Sequence, residues 1–270
     1  MKKILSITII LIILIPNFIQ SQDIHSKHFF YGYPKRIPFE NKIIIRDLYI
    51  ASYDPNTKNS DWVAYVVDKD YIGKSKKITL TEEFFLYEDE RLELDDFRDA
   101  FSTLDYDKGH LIPVRSFSKS RHFKANLSPL TVISPQKMTL NRGILRKLDE
   151  KVDNFASKMD INVYVISGTL YLEDITPLLA ADEGHKVPSH FYKIISFRSS
   201  EVGIKVFALK FPQLIEPKTE LSEYLCTVDE LEYMTGYNFF WQMYDTYENQ
   251  VEAQIDQQGF EYFLKAQHIK

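Results

Sequence analysis

The chain has 270 residues, of which 44% are hydrophobic, 26% charged and 14% aromatic, and its formal net charge is −5. This balance excludes disordered and collagen-like chains and leaves a folded protein with a sizeable core. A single cysteine, Cys226, excludes an internal disulfide, and with seven scattered histidines it cannot build a Cys/His zinc cluster.

Residues 1–21 read as a secretory signal peptide: a basic start at Met1-Lys2-Lys3, an apolar run from Ile4 to Ile15, and a less hydrophobic exit from Pro16 to Ser21. Crossing a bilayer takes about 20 apolar residues, and Pro16 and Asn17 end the run short of that. Export to the periplasm or the exterior is therefore expected, with cleavage near Gln20 to Gln22 and no stable membrane association afterwards. Residues 22–270 are expected to form one α+β domain, with a core over about 31–240 and a polar, peripheral helical tail over 241–270.

Asn41 to Ser52 and Trp62 to Val67 are rich in β-branched and aromatic residues, and the turn formers Asp54 to Asp61 between them predict a hairpin. Asp105 to Ser116 is a short segment carrying Gly109-His110, and a polar basic loop follows to Asn126. Leu130 to Ser134 reads as a brief strand closed by Pro135-Gln136. From Asn141 to Met159, the residues Ile144, Leu145, Leu148, Val152, Phe155 and Ala156 recur at three- and four-residue spacings, the period of an amphipathic helix. Ile161 to Ser167, Phe191 to Phe197 and Ile204 to Leu209 read as strands. Thr227 to Thr235 reads as a helix stopped by Gly236.

Charge is unevenly distributed along this chain. Between Lys108 and Leu148 stand Lys108, Arg115, Lys119, Arg121, Lys124, Lys137, Arg142, Arg146 and Lys147 without one Asp or Glu, whereas Glu82 to Asp99 is dense in acid. An acid-free basic stretch is the electrostatic footprint of a surface that meets phosphates, or else a solvated basic face. Within it, His110 at a strand end next to Gly109 is a candidate general base, its ordinary pKa near 6.5 suiting proton abstraction at neutral pH. Asn141, 31 positions later, offers a neutral oxygen of the kind hard Mg²⁺ accepts, or serves only as a helix cap. Asp149 lies about 80° around a regular helix from Asn141, at about 100° per residue, and could hold metal-bound water. Arg142, Arg146, Arg115 and Lys137 are candidates for holding phosphates.

Tyr106-Asp107-Lys108-Gly109-His110-Leu111-Ile112-Pro113 resembles the Asp-Arg-Gly-His signature of the non-specific DNA/RNA endonucleases, the ββα-metal group of endonuclease G type. Ser134-Pro135-Gln136 with Leu140-Asn141-Arg142-Gly143 resembles that family's second block, Val163 to Gly168 its next strand, Val187 to Lys193 a further segment, and Val228 to Gly236 its C-terminal block. Tyr31 to Pro34 and Trp62 to Tyr65 fit its opening strands, so the likeness runs from Tyr31 to Phe240 in the family's order. The resemblance implies a strand ending in His, a second strand and a helix carrying the metal ligand, beside a central antiparallel sheet. It implies Mg²⁺ on Asn141, with Mn²⁺ or Ca²⁺ as substitutes, His110 as the base that activates water, and the DNA and RNA backbone as partner. An inhibitor protein is a further partner compatible with this reading.

The departures are Lys108 for Arg, Val132 for Asn, Leu145 for Trp, Asp149 for Glu, and Asp153 where the family carries Arg. Lys108 keeps the charge and loses the bidentate fork; the resemblance implies that Lys108, Asp149 and Arg146 join His110 in the catalytic set. The reversal at Asp153 removes a cation that Arg142 or Arg146 would have to replace. These changes motivate the alternative reading, a nuclease-fold protein that binds nucleic acid without turnover.

Overall fold

Strands that bury both faces carry near-continuous apolar runs, and those of this chain assemble into one sheet. In the computed structural model, which describes residues 24–72, 106–120, 126–127, 130–173, 176–177, 185–216 and 218–265, seven strands follow the order β1-β2-β3-β6-β9-β10-β11. They are β1 (Lys42–Ile45), β2 (Ile50–Asp54), β3 (Asn59–Val67), β6 (Val163–Leu170), β9 (His190–Ser199), β10 (Gly203–Pro212) and β11 (Leu225–Cys226). Every neighbouring pair is antiparallel. Two small pairs stand apart: β4 (Tyr106–His110) with β5 (Ile133–Lys137), and β7 (Thr176–Pro177) with β8 (Lys186–Val187). The leader, the acid-rich Glu82 to Asp99 and the loop residues Arg121, His122 and Lys124 lie outside the described residues.

Among the described residues, four complete α-helices cover the sheet: α1 (Arg146–Met159), α2 (Val228–Thr235), α3 (Asp245–Glu252) and α4 (Gln257–Lys265). On one face, Ile144, Leu145, Leu148, Val152, Phe155 and Ala156 pack with Val63, Tyr65, Val165, Ile195 and Phe197. On the other, Val228 and Leu231 join Trp62, Ile166, Tyr192, Ile194, Phe239 and Cys226. The ends of α2 are those its sequence announces: Thr227 accepts from the Glu230 N–H at 3.0 Å, and Gly236 takes the left-handed conformation, φ 74°, that lets the chain leave the helix. No helix among the described residues is long and apolar enough to cross a membrane.

Three expectations change. The first apolar run is two strands, because the Arg46 N–H donates to Tyr49 O at 2.9 Å and turns the chain between β1 and β2. Leu130–Val132 is a 3-10 turn, and β5 runs on through Pro135 to Lys137. Pro135 sits opposite Lys108 while Leu111 N bonds Val132 O, so the proline occupies a position of the ladder where no inward N–H is needed. The tail is not peripheral: Phe260 and Phe263 are buried against Phe155 and Phe207. Burying each Phe contributes about 1.5–3 kcal/mol, which makes α4 part of the core.

Candidate active site

The pair β4–β5 is held against the large sheet by polar contacts at its start. Ser134 Oγ donates to Asn59 Oδ1 at 2.7 Å and Ser60 Oγ to Thr131 O at 2.7 Å. Gln213 closes the other side, donating to Pro135 O at 2.8 Å and accepting from Lys137 N at 2.9 Å. Gly109 has a packing reason: a Cβ there would stand 2.2 Å from the Gln136 side chain that lies over it.

His110 ends β4 with its ring partly buried, and its Nε2 lies 3.1 Å from Leu127 O. A carbonyl oxygen only accepts, so Nε2 carries the hydrogen and Nδ1 keeps the lone pair of a neutral ring. Burial pushes the imidazole down to about 4, against the opposing pull of the Leu127 carbonyl. At neutral pH the ring is therefore an unprotonated base.

After β5 the chain enters a π-type turn, Leu140–Leu145, in which Gly143 leaves helical geometry at φ −97°, ψ −106° before α1 begins. This turn is where Asn141 and Arg142 project onto β4. Asn141 Nδ2 donates to Asp107 Oδ2 at 2.9 Å, Arg142 Nε donates to the same oxygen at 2.8 Å, and Arg142 Nη2 bonds Asp107 Oδ1. Because a carboxylate takes the amide N–H, the Asn141 carbonyl oxygen is the end directed away from Asp107. Asp107, to which local sequence pattern assigns no role, is thus the residue that orients Asn141 and ties it to the strand of His110.

The other sequence-derived candidates have separate neighbours. Asp149 is ion-paired with Lys193 of β9, whose ammonium is buried and lies 3.5 Å from the Tyr65 hydroxyl. The regular-helix angle from Asn141 to Asp149 does not apply, because the π turn and the Gly143 kink interrupt the helix between them. Arg115 lies 3.4 Å from Glu150 and 3.6 Å from Asp153, which commits its guanidinium to α1. Lys137 stands 4.3 Å above the Tyr106 ring, Lys108 lies mid-strand opposite Pro135, and Arg146 opens α1 exposed and without an ion pair among the described residues. The acid-free stretch is therefore partly neutralised by acids outside it, Asp107 above all.

The acid at Asp153 is not a negative charge facing the site. It is 2% exposed, accepts a hydrogen bond from Ser116 Oγ and faces Arg115, on the segment that follows His110. Burial, with Asp149 adding to it, outweighs Ser116 and Arg115 and pushes the carboxyl up to about 7. Between the ordinary carboxylate range and pH 7 the folded chain holds a proton that the unfolded chain has released, so this group lowers stability as pH rises across that window. Asp153→Asn keeps an acceptor for Ser116 and removes that slope. Urea unfolding at pH 5 and pH 8 is expected to show the wild type losing about 3 kcal/mol more than the variant; parallel losses would reject the buried, protonated Asp153.

Residues 27–246 match the family described as DNA/RNA non-specific endonuclease. The chain belongs to that family. It is 29% identical to a nuclease of Serratia marcescens over 197 residues, covering 73% of this chain and 74% of that one. It is also 23% identical to human mitochondrial endonuclease G over 210 residues, 72% of this chain and 68% of the relative. A crystal structure of an EndoG/EndoGI complex shares its fold with a TM-score of 0.61 at 22% identity, covering 79% of this chain and 90% of that one. Family membership makes this a nuclease of the hydrolase class, in a family whose members use a divalent metal. The donor set fits such an ion: Asn141 presents one neutral, hard oxygen beside an ordered acidic anchor, and a hard cation can take the rest of its shell from water and phosphate.

Proposed function

We propose that this protein is a Mg²⁺-dependent endonuclease that hydrolyses the phosphodiester backbone of DNA and RNA with little sequence preference. The observation that carries the reading is the joint anchoring of Asn141 and Arg142 on Asp107, three residues before a neutral His110 in one short strand. In this reading Asn141 Oδ1 holds the ion, which when bound supplies positive charge to the scissile phosphate and its leaving oxygen. His110 Nδ1 takes the proton from the attacking water, while the bond from Nε2 to Leu127 O keeps the ring in the required tautomer. Arg142 orients through Asp107, and the exposed Arg146 with Lys137 and Lys108 meets backbone phosphates. Contacts of that kind grip the backbone and leave base edges unread, which is the physical source of sequence indifference. Asp149 acts at one remove, by anchoring α1 to the sheet.

Export by the leader, with Mn²⁺ or Ca²⁺ as substitute ions and an inhibitor protein as partner, completes the proposal. Its support is the apolar start of the sequence and the hardness of the Asn141 donor. The test is plasmid nicking with Mg²⁺, with excess chelator, and with Asn141→Ala. Nicking is expected to stop on chelation and to fall by about 10²-fold or more in the variant, the scale on which metal and base catalysis contribute. Wild-type rates in Asn141→Ala would dismiss the ligand assignment. Salt-sensitive binding without nicking under Mg²⁺, Mn²⁺ or Ca²⁺ would favour the binding-only alternative.

A further inference from the structure

On the face of the sheet opposite α1, Asp229 and Glu232 of α2 and Glu252 at the end of α3 each bring one carboxylate oxygen within 4.8 Å of the others. Two oxygens on opposite sides of a Ca²⁺ ion at about 2.4 Å are about that far apart. A fourth carboxylate, Glu248, lies one turn before Glu252 on α3 and acts on it electrostatically. The cluster alone would be unremarkable on a protein surface. What separates it is Glu252, which is 4% exposed and whose Oε1 is buried without a hydrogen-bond partner. Burying a carboxylate oxygen with no donor is costly unless a cation completes it.

The described residues offer no such cation of their own. Among the described residues no Lys or Arg pairs with any of these four carboxylates. Lys35, which acts on Glu248 through space, places its ammonium 3.3 Å over the Trp241 ring, and Arg36 acts on Glu232 only through space. Glu232 has one further tie, accepting from Phe239 N at 2.6 Å, which holds its carboxylate in place. We propose that Asp229, Glu232 and Glu252 form a structural cation site that takes Ca²⁺ and clamps α3 to α2. Three oxygen ligands of full charge suit a hard divalent ion. Their partly dry setting favours Ca²⁺, which accepts irregular carboxylate shells, over Mg²⁺, which keeps several waters and an octahedral shell.

The experiment separates this site from the catalytic one by using the full chain carrying Asn141→Ala, which lacks the proposed catalytic ligand. Thermal unfolding is followed at pH 8 in chelator and in CaCl₂, and Ca²⁺ binding by titration calorimetry. At about 100 times the dissociation constant, Ca²⁺ is expected to raise the midpoint by about 5 °C. Adding Asp229→Asn, at an exposed position, or Glu252→Gln, which is nearly isosteric, is expected to weaken Ca²⁺ binding at least tenfold. Folding of each variant is checked by near-UV circular dichroism, and Asp229→Asn decides if Glu252→Gln does not fold. An unchanged midpoint with Ca²⁺ overturns the site, and so does a rise that survives undiminished in either folded variant.

Discussion

His110→Ala is expected to lower the rate of plasmid nicking by about 10²–10⁴-fold while leaving the fold intact, the range that loss of a positioned general base produces. The fold should survive because the ring lies at the end of a two-stranded pair, bonded to Leu127 O, and is not itself part of the apolar core. Binding of duplex DNA in chelator should change little, since phosphate contacts are assigned to other residues. The wild type carries a second signature. With the imidazole lowered to about 4, the neutral base is populated at all higher pH, so the acid limb of kcat/KM should turn over near pH 4 and not near 6.5. Below that value the rate should fall about tenfold per pH unit, as expected for loss of one base. A variant that nicks at the wild-type rate removes His110 from the chemistry. An acid limb near 6.5 with an inactive variant would keep the base and reject its buried environment.

The parts legible in the sequence are those set by local rules. The Asn141 to Met159 period placed six residues inward, and all six are buried. Thr227 and Gly236 marked the ends of α2 because cap chemistry acts within a turn. The Asp107 to His110 block was recognisable as a unit, although its physical logic was not: Gly109 makes room for Gln136, and Asp107 orients an amide 34 residues away. That second contact is a tertiary choice without local period. The π turn at Leu140–Leu145 was hidden for a similar reason, since apolar spacing reports which face is inward and not how the backbone hydrogen bonds close. Phe260 and Phe263 were masked by the polar residues around them, because a short amphipathic helix has the same composition whether its apolar stripe docks or not. Arg115 shows the limit of counting charge: it sits in an acid-free stretch and is claimed by acids of a helix 35 or more residues later.

The buried pair of Lys193 and Asp149 leads to the second large effect. Lys193 stands in the middle of an apolar strand, on the same side as Phe191, Ile195 and Phe197, and is 3% exposed. A lysine there needs an acid from whatever packs on that face, and Asp149 of α1 supplies it. Lys193→Met would leave Asp149 without its counter-charge, and breaking one member of a buried pair costs about 3–5 kcal/mol. Burial already holds Asp149 above the usual carboxylate range despite the pull of Lys193. Without Lys193 the acid would keep its proton more tightly, so the loss should be smaller at pH 5 than at pH 8. Replacing both residues, Lys193→Met with Asp149→Leu, removes both desolvated charges and should recover most of the stability. That double variant also decides what Asp149 does. If it anchors α1, a well-folded double variant nicks within about tenfold of the wild type, since a repacked apolar contact holds the helix in the same place. A loss of 10²-fold or more at unchanged stability, the scale of a lost acid–base group, would instead put the Asp149 carboxylate in the reaction, orienting water beside Asn141.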